Sequence, residues 1–357
     1  MKTFCKAALA LTLALGAIAQ NPATVTNSYT QKNLVSDIAG VGVSTDPRLA
    51  NPWGLSRLAS STLSENEWWT SDNVTGVSTL YDASGAVVNL VVTIPPAGGT
   101  GSGSPTGAVA VNSIFDFATA DGTISTWNPT TGPTAPATGC AECHTTSATL
   151  KINNSGKGAA YSGLTAAASS TVNGGKATLY AANTAGGVEA YDAASFAPVT
   201  LPAGAFVDPN VPSSLTPCGI QAIGSKIFVT FAPAGAMTGG AVDAFTTDGT
   251  LVLRLESGSW FSQPFGIALA PASFGAFSGD LLVGNTLNGS IMAFNPSTGA
   301  FLGLLHNSSG KAIQIPGLWG ISFGNGSTDS GPATTLYFNA GIRNFANGLF
   351  GAITSND

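Results

Sequence analysis

The side chains best suited to chemistry lie in one pentapeptide, Cys140-Ala141-Glu142-Cys143-His144. This is the C-x-x-C-H spacing at which two thioether bonds attach haem c and the adjacent histidine reaches the iron. A covalent haem would make the protein an electron carrier. The same residues also allow a Cys140–Cys143 disulfide or redox-active pair, a metal site, or free thiols.

The surroundings of this pentapeptide favour the disulfide or redox-active pair. Its flanks, residues 131–139 and 145–148, consist mostly of Pro, Thr, Ala and Gly and offer little apolar surface to cover a porphyrin. In the fold predicted below, Cys218, Met237 and His306 lie in connections at the opposite end of the molecule. A second iron ligand is therefore not expected, and neither is a zinc site, which needs four converging ligands.

A second group of side chains is predicted to converge where strands end. Six carboxylate or amide side chains follow predicted buried strands: Asp72, Asn73, Asp121, Asn183, Asn285 and Asn339. Three aromatic side chains precede predicted inner strands at the same end: Trp53, Phe265 and Trp319. An oxygen-rich ring with aromatic walls suits a sugar, another small polar ligand, or a hard cation such as Ca²⁺.

Two other interpretations of this ring stay open. Asn and Asp also begin turns, and aromatic residues before an inner strand also fill a core, so the pattern is compatible with a purely structural role. Alternatively, the ring could hold the divalent metal of a hydrolase, lactonase or lyase. The chain has no H-E-x-x-H or P-loop motif that would indicate another catalytic mechanism.

The elements that position these residues come from a sixfold repeat. A glycine opens a short apolar run at Gly54, Gly107, Gly163, Gly219, Gly266 and Gly320, with steps of 53, 56, 56, 47 and 54 residues. A period near 50 residues is typical of arrays in which each repeat is one small sheet. The repeat predicts an all-β, six-bladed β-propeller with four-stranded blades.

Within each repeat, the order of residue types predicts the order of strands. A glycine-containing inner strand is followed by a continuous apolar strand, an aromatic strand and an outer strand. Residues 33–35 are expected to add a strand to the last blade, beside residues 349–354, and so close the ring. The predicted organisation is a signal peptide at 1–19, an N-terminal closing segment at 20–48 and the propeller at 49–357.

Composition limits the partners. The net charge is −6 and only 8% of residues are charged, so no basic surface for nucleic acid is expected. Lys2, Lys6 and the apolar run 7–18 read as a secretory leader cleaved near Ala19. No later run is long enough to span a membrane. We therefore expect a secreted protein, periplasmic or extracellular.

Several phrases carry a resemblance: Asn33-Leu34-Val35-Ser36-Asp37, Asn51-Pro52-Trp53-Gly54, Gly76-Val77-Ser78-Thr79-Leu80-Tyr81-Asp82 and Phe274-Gly275-Ala276-Phe277-Ser278-Gly279. They resemble an uncharacterised family of secreted bacterial β-propellers that is distantly similar to NHL and SMP-30-like propellers. The resemblance implies the fold and secretion, and it brings no activity or catalytic residues.

The leading hypothesis is therefore a secreted, non-catalytic propeller without a cofactor. It would bind a small polar ligand, a glycan or a protein through the face that carries Asp72, Asn183 and Asn285. The alternatives are the metal-dependent enzyme and the haem electron carrier described above.

Overall fold

Six antiparallel sheets surround a central channel in the computed structural model, which describes residues 26–59, 66–133, 144–169, 171–235 and 237–357. The prediction of a six-bladed β-propeller is confirmed. The leader prediction falls outside the described residues, and the three-part organisation stays a prediction.

The strands follow one another in blade order. The N-terminal segment contributes β1 (Tyr29–Ser36) and β2 (Ser44–Thr45). Blade one contains β3 (Pro52–Ser56), β4 (Trp68–Asp72), β5 (Val77–Tyr81) and β6 (Val87–Thr93). Blade two contains β7 (Pro105–Val111), β8 (Ile114–Thr119), β9 (Thr123–Trp127) and β10 (Thr149–Asn153). Blade three contains β11 (Tyr161–Ala168), β12 (Ala177–Asn183) and β13 (Gly187–Asp192).

The second half of the ring repeats this order. Blade four contains β14 (Leu215–Ile223), β15 (Lys226–Pro233), β16 (Ala241–Thr246) and β17 (Leu251–Arg254). Blade five contains β18 (Pro264–Leu269), β19 (Leu281–Asn285), β20 (Ile291–Phe294) and β21 (Phe301–Leu304). Blade six contains β22 (Leu318–Phe323), β23 (Leu336–Gly341) and β24 (Asn347–Ser355). Apart from strands, the described ranges contain a left-handed turn at Ile342–Phe345 and two 3₁₀ turns, Ser155–Lys157 and Gly275–Phe277.

The six repeat glycines allow neighbouring inner strands to touch. A Cβ atom on Gly54 would lie 2.6 Å from the amide nitrogen of Ala108 in the next blade. One on Gly219 would meet the carbonyl oxygen of Phe265 in the blade after it. Any larger side chain would push two blades apart, which explains why each inner strand carries glycine at this position.

The ring is closed as predicted. Strand β1 pairs antiparallel with β24, from Tyr29 opposite Ser355 to Ser36 opposite Leu349. β1 therefore supplies the outer strand of blade six. The phenol of Tyr29 adds a hydrogen bond to the carbonyl oxygen of Phe274 at 3.0 Å, which ties this strand to blade five.

Blade three departs from the four-stranded pattern. Between β13 and β14, the chain forms one isolated bridge, from Pro198 back to Tyr191. Prolines at 198, 202, 209 and 212 follow β13. Because proline lacks an amide hydrogen, this segment cannot sustain a regular outer ladder.

Strand register defines two faces. Pro52 pairs with Asp72, Asp72 with Val77, and Val77 with Thr93. The connections that enter inner strands and those that join second to third strands therefore share one end, named here the upper face. First-to-second hairpins and third-to-fourth turns lie at the opposite end, the lower face. In the described part of the chain, no helix is both long and apolar enough to cross a bilayer.

Candidate functional site

The central channel is narrow. It encloses a cavity of about 40 Å³ lined by the repeat glycines and by apolar side chains such as Leu164, Ile220 and Ile267. A space of this size holds little more than one or two water molecules. A ligand on the channel axis must therefore be recognised at the mouth of the channel and not inside it.

Aromatic side chains cover half of the upper mouth. Trp53 stacks on Trp319 with ring centroids 3.8 Å apart, and Phe265 lies edge-on to Trp319 at 4.8 Å. The three residues precede repeat glycines in blades one, six and five, which are neighbours once the ring is closed. Phe265 and Trp319 are buried, whereas Trp53 keeps part of its surface exposed. We name these three side chains the aromatic stack.

In the other half of the mouth, small polar side chains occupy the position before the repeat glycine. Thr106 donates a hydrogen bond to the carbonyl oxygen of Tyr161 at 2.7 Å. Ser162 donates to the carbonyl oxygen of Cys218 at 2.6 Å. Both bonds join one blade to the next. The mouth is therefore asymmetric, with aromatic side chains on one side and small hydroxyl side chains on the other. The hydroxyl groups already hydrogen bond to the neighbouring blade.

The backbone beside the aromatic stack is strained. Asn51, Gln263 and the consecutive residues Arg343, Asn344 and Phe345 all have positive φ angles, between 49° and 64°. Non-glycine residues rarely adopt this conformation, and three in succession are rarer still. Strain of this kind tends to collect at ligand-binding sites. We name these five residues the strained rim.

Side-chain contacts connect the strained rim to the aromatic stack. The indole nitrogen of Trp319 donates to Asn51 Oδ1 at 2.9 Å. The ring of Phe345 lies 5.5 Å from that of Trp319. Arg343 and Asn344 are exposed beside them. The turn therefore places Phe345 against the stack and presents two polar side chains to solvent.

The two predicted carboxylates of the ring are engaged in local hydrogen bonds. Asp72 is 0% exposed, and it accepts from Thr70 Oγ1 at 3.0 Å and from Thr79 Oγ1 at 2.7 Å. Burial raises the pKa of Asp72 to about 8, so the carboxyl is mostly neutral at pH 7. Asp121 accepts from the amide of Ala97 at 2.7 Å.

Two of the predicted amide side chains join a second strand to a neighbouring connection or strand. Asn285 donates to the carbonyl oxygen of Trp260 at 2.7 Å. Asn183 donates to Glu189 Oε1 at 2.7 Å. Both asparagines are buried. Their observed partners are the groups that hold each blade together at its upper end.

The other two asparagines reach the next blade. Asn339 donates to the carbonyl oxygen of Gly54 at 2.9 Å, and Asn73 to that of Pro105 at 3.3 Å. Asn339 lies within β23 and not in the connection that follows it. Among the described residues, no hydrogen bond joins any two of the six predicted ring side chains, whereas the three predicted aromatic residues are in mutual contact.

Most of the pentapeptide that suggests haem lies outside the described residues, which include His144 but neither cysteine. The His144 ring approaches the edge of Trp127, with centroids 6.0 Å apart. Met237 and His306 lie in upper-face connections, as expected. The expectation for Cys218 was wrong, because its glycine-containing segment is itself the inner strand β14. Cys218 is a free thiol within the described chain, and burial raises its pKa to about 12.

A metal centre would need several ligands in one place. Across the described ranges, no three His, Cys, Asp or Glu side chains lie close enough to hold one ion. The strongest sequence candidate, Asp72, directs both of its oxygens to threonines. Carboxylate, histidine and cysteine side chains alone therefore form no ligand set for the predicted Ca²⁺ or other divalent ion among these residues, and that ion stays a prediction.

Sequence reasoning missed the strained rim. A signal was available: Gly341 and Gly348 are separated by six residues without glycine, although a tight connection would ordinarily use glycine where φ is positive. Asn51 could have been noticed as the residue that precedes Pro52 and Trp53. Its left-handed conformation accompanies a hydrogen bond from Trp319 in another blade, which the sequence does not reveal.

The fold and channel place the protein among the β-propellers, and no family model matches the chain. It is 27% identical over 350 residues to the uncharacterized protein R648 of Acanthamoeba polyphaga mimivirus, covering 90% of this chain and 78% of the viral protein. It is 25% identical to the uncharacterized protein L690 of the same virus, covering 100% and 94%. The PQQ-bound aldose sugar dehydrogenase of Streptomyces coelicolor is structurally similar, with a TM-score of 0.52, 12% identity and coverage of 94% and 100%. At this identity, the structural similarity shows the fold alone.

Proposed function

We propose that this protein is a non-catalytic binding module that recognises a glycan, or another small polar ligand with a flat apolar face, at the upper mouth of its channel. The observation that carries the proposal is the strained rim beside the aromatic stack. Maintaining five left-handed residues costs stability, and such cost is most often retained where a binding site needs the geometry.

The chemistry of the mouth suits such a ligand. Trp53 is partly exposed and is held in place by stacking on Trp319, so it can offer a rigid apolar surface to a sugar ring. The indole nitrogen of Trp53 is buried and has no hydrogen-bond partner within the described chain. Arg343 and Asn344 add exposed donors beside it.

The predicted leader supports a location outside the cytoplasm. A charge-poor chain rich in Ser, Thr, Asn and Gly suits a glycan partner better than a nucleic acid. A protein partner would use the same exposed residues, Arg343 and Asn344, and would be detected by the same variants.

Glycan-array binding followed by calorimetry with the strongest oligosaccharide hit tests the proposal. Trp53→Ala and Arg343→Ala should each weaken binding at least tenfold. Trp260→Ala is the matched control, because Trp260 is also a partly exposed tryptophan stacked on an aromatic ring, here Phe301 in the outer strand of blade five at 4.2 Å. Absence of any glycan hit, or equal losses in Trp53→Ala and Trp260→Ala, would refute the glycan proposal.

Metal analysis and a visible spectrum of the purified protein separate the alternatives. A stoichiometric divalent ion, lost together with activity on chelation, would favour the hydrolase, lactonase or lyase. A haem c spectrum that disappears when Cys140 and Cys143 are replaced by serine would favour the electron carrier.

A further inference from the structure

One buried carboxyl group breaks the sixfold repeat. Aligned by the pairing of second with third strands, the residues equivalent to Asp116 are large apolar or aromatic side chains: Trp69, Tyr180, Phe228, Leu282 and Tyr337. Asp116 is as buried as its equivalents, with 1% exposure. A carboxyl group in a core position is costly unless all of its hydrogen bonds are made.

Asp116 lacks one of those bonds. Thr126, its cross-strand neighbour, lowers the pKa of the carboxyl group but does not outweigh the effect of burial. Its Oδ1 atom is buried and has no partner among the described residues. Burial raises the pKa of Asp116 to about 7, so both protonation states are present near neutrality. A buried hydrogen-bond acceptor without a partner in the protein suggests that a bound ligand donates the missing hydrogen bond.

Asp116 lines a groove of about 560 Å³ between blades two and three on the lower face. This volume is within the range of pockets for small organic ligands. Lys151 and Lys176 line it together with Asp116 and Thr126. The pairing of β10 with β9 shifts register at Lys151, between Leu150 and Ile152. Such a bulge changes the direction in which a side chain points.

The groove also contains a strained aromatic residue. In three other blades, the third-to-fourth turn places glycine in the left-handed conformation, at Gly85, Gly249 and Gly299, with φ between 76° and 91°. Blade three has Phe196 there, at φ 59°. The ring of Phe196 lines the groove and lies 5.7 Å from the ammonium group of Lys151. Glycine makes the equivalent turn in the three other blades, so the turn itself does not require phenylalanine. We infer that the strain at Phe196 is retained for another role of its side chain.

We propose that this groove, formed by Asp116, Thr126, Lys151, Lys176 and Phe196, binds a hydroxylated organic anion of the sugar-acid type. The ammonium groups of Lys151 and Lys176 pair with the acid group of the ligand. A ligand hydroxyl donates to the open oxygen of Asp116.

Asp192 also lines the groove, but its carboxylate already accepts hydrogen bonds from Asn173 and Ser195. The two ammonium groups therefore suit an acid group and the open oxygen of Asp116 suits a neutral donor, which a hydroxylated anion supplies together.

Calorimetric titration of the full chain at pH 7 with D-glucuronate, D-glucose and acetate tests the proposal. Glucuronate carries both required groups, glucose only the hydroxyls and acetate only the acid. Glucuronate should bind saturably, and the other two at least tenfold more weakly. If all three bind alike, or if glucuronate does not saturate, the proposal is wrong.

Variants locate the site. Asp116→Asn and Asp116→Leu should each weaken glucuronate binding at least tenfold, and leucine is already accommodated at the equivalent position of blade five as Leu282. Replacing both Lys151 and Lys176 by methionine should abolish the preference for glucuronate over glucose. Retention of wild-type affinity in both Asp116 variants would overturn the assignment.

Asp243→Asn is the matched control. Asp243 is 2% exposed, has one buried oxygen without a partner and has a pKa raised by burial to about 7, but it does not line this groove. Glucuronate affinity should be unchanged in this variant and in Trp53→Ala. If Trp53→Ala loses glucuronate and Asp116→Leu keeps it, the sugar acid binds at the upper mouth and the lower-face proposal fails alone.

Discussion

Two buried aspartates, one near each end of the propeller, have opposite hydrogen-bond environments. Asp72, at the upper face, accepts from Thr70 and twice from Thr79, so both of its oxygens are used. Asp116, facing the lower groove, leaves one oxygen without a partner. Both are almost completely inaccessible.

The contrast separates structure from binding. A buried polar group whose hydrogen bonds are all made within the protein stabilises the fold. Removing such a group should therefore lower the free energy of unfolding. A buried polar group with an open bond is a cost to the fold that a ligand can offset. By this criterion, Asp72 is part of the scaffold that carries the aromatic stack. Asp116 has an open bond and, unlike Asp243, also lines the lower groove, and the two observations together assign it to a site.

The pH dependence of stability gives the largest expected effect. Because the pKa of Asp72 is raised from the usual 3.8 to about 8 in the fold, its neutral form stabilises the native state fully below pH 4. This contribution is lost as the pH rises through 8, on the order of 5 kcal/mol. Urea midpoints should fall between pH 5 and pH 9. The fall in Asp72→Asn should be smaller by the share of Asp72, while Asp116 and Asp243, whose pKa values are also raised, still contribute. Parallel decreases would show that Asp72 is not the titrating group.

Removing Asp72 altogether should also be costly. At pH 5, Asp72→Leu removes the acceptor of the Thr79 amide and one acceptor of each of the Thr70 and Thr79 hydroxyls, which still hydrogen bond to each other. We expect the free energy of unfolding to decrease by about 4 kcal/mol, measured by urea denaturation. A loss below about 1 kcal/mol would mean that the upper carboxyl is no more structural than the lower one.

The interlocked inner strands below the upper mouth should be almost as sensitive. Gly219→Ala places a methyl group against the carbonyl oxygen of Phe265, and we expect a loss of about 3 kcal/mol from overpacking. Gly98→Ala is the control, because nothing lies within 4 Å of its added Cβ. Equal melting temperatures for the two variants would contradict the close approach of neighbouring blades.

The smallest expected change in the free energy of unfolding is an increase. Asp116→Leu restores the apolar side chain that blade five has at this position and removes an unpaired buried oxygen. The ligand-free protein should gain about 1 kcal/mol of stability, detected as a higher urea midpoint at pH 7. Destabilisation would mean that Asp116 serves the fold, as Asp72 does.

Regular features of the chain were predictable because each depends on its own repeat. The steps between Gly54 and Gly320 predicted six blades, and the apolar runs predicted their buried second strands. The shared position of Trp53, Phe265 and Trp319 before a repeat glycine was also visible. Exceptions to the repeat were not recognised: Asp116 in an apolar strand position, Phe196 in a glycine position, and the run from Arg343 to Phe345.

Residue order alone was enough for the blade count, the strand order and the closing partners, because periodic spacing and alternation are local properties of a chain. Residue order could not predict the hydrogen-bond partner of each buried polar atom. Thr79 satisfies Asp72 across a strand pair, Asn51 holds Trp319 from another blade, and Lys151 reaches the groove through a bulge. These contacts depend on three-dimensional packing, and they distinguish an aspartate that supports the fold from one that awaits a ligand.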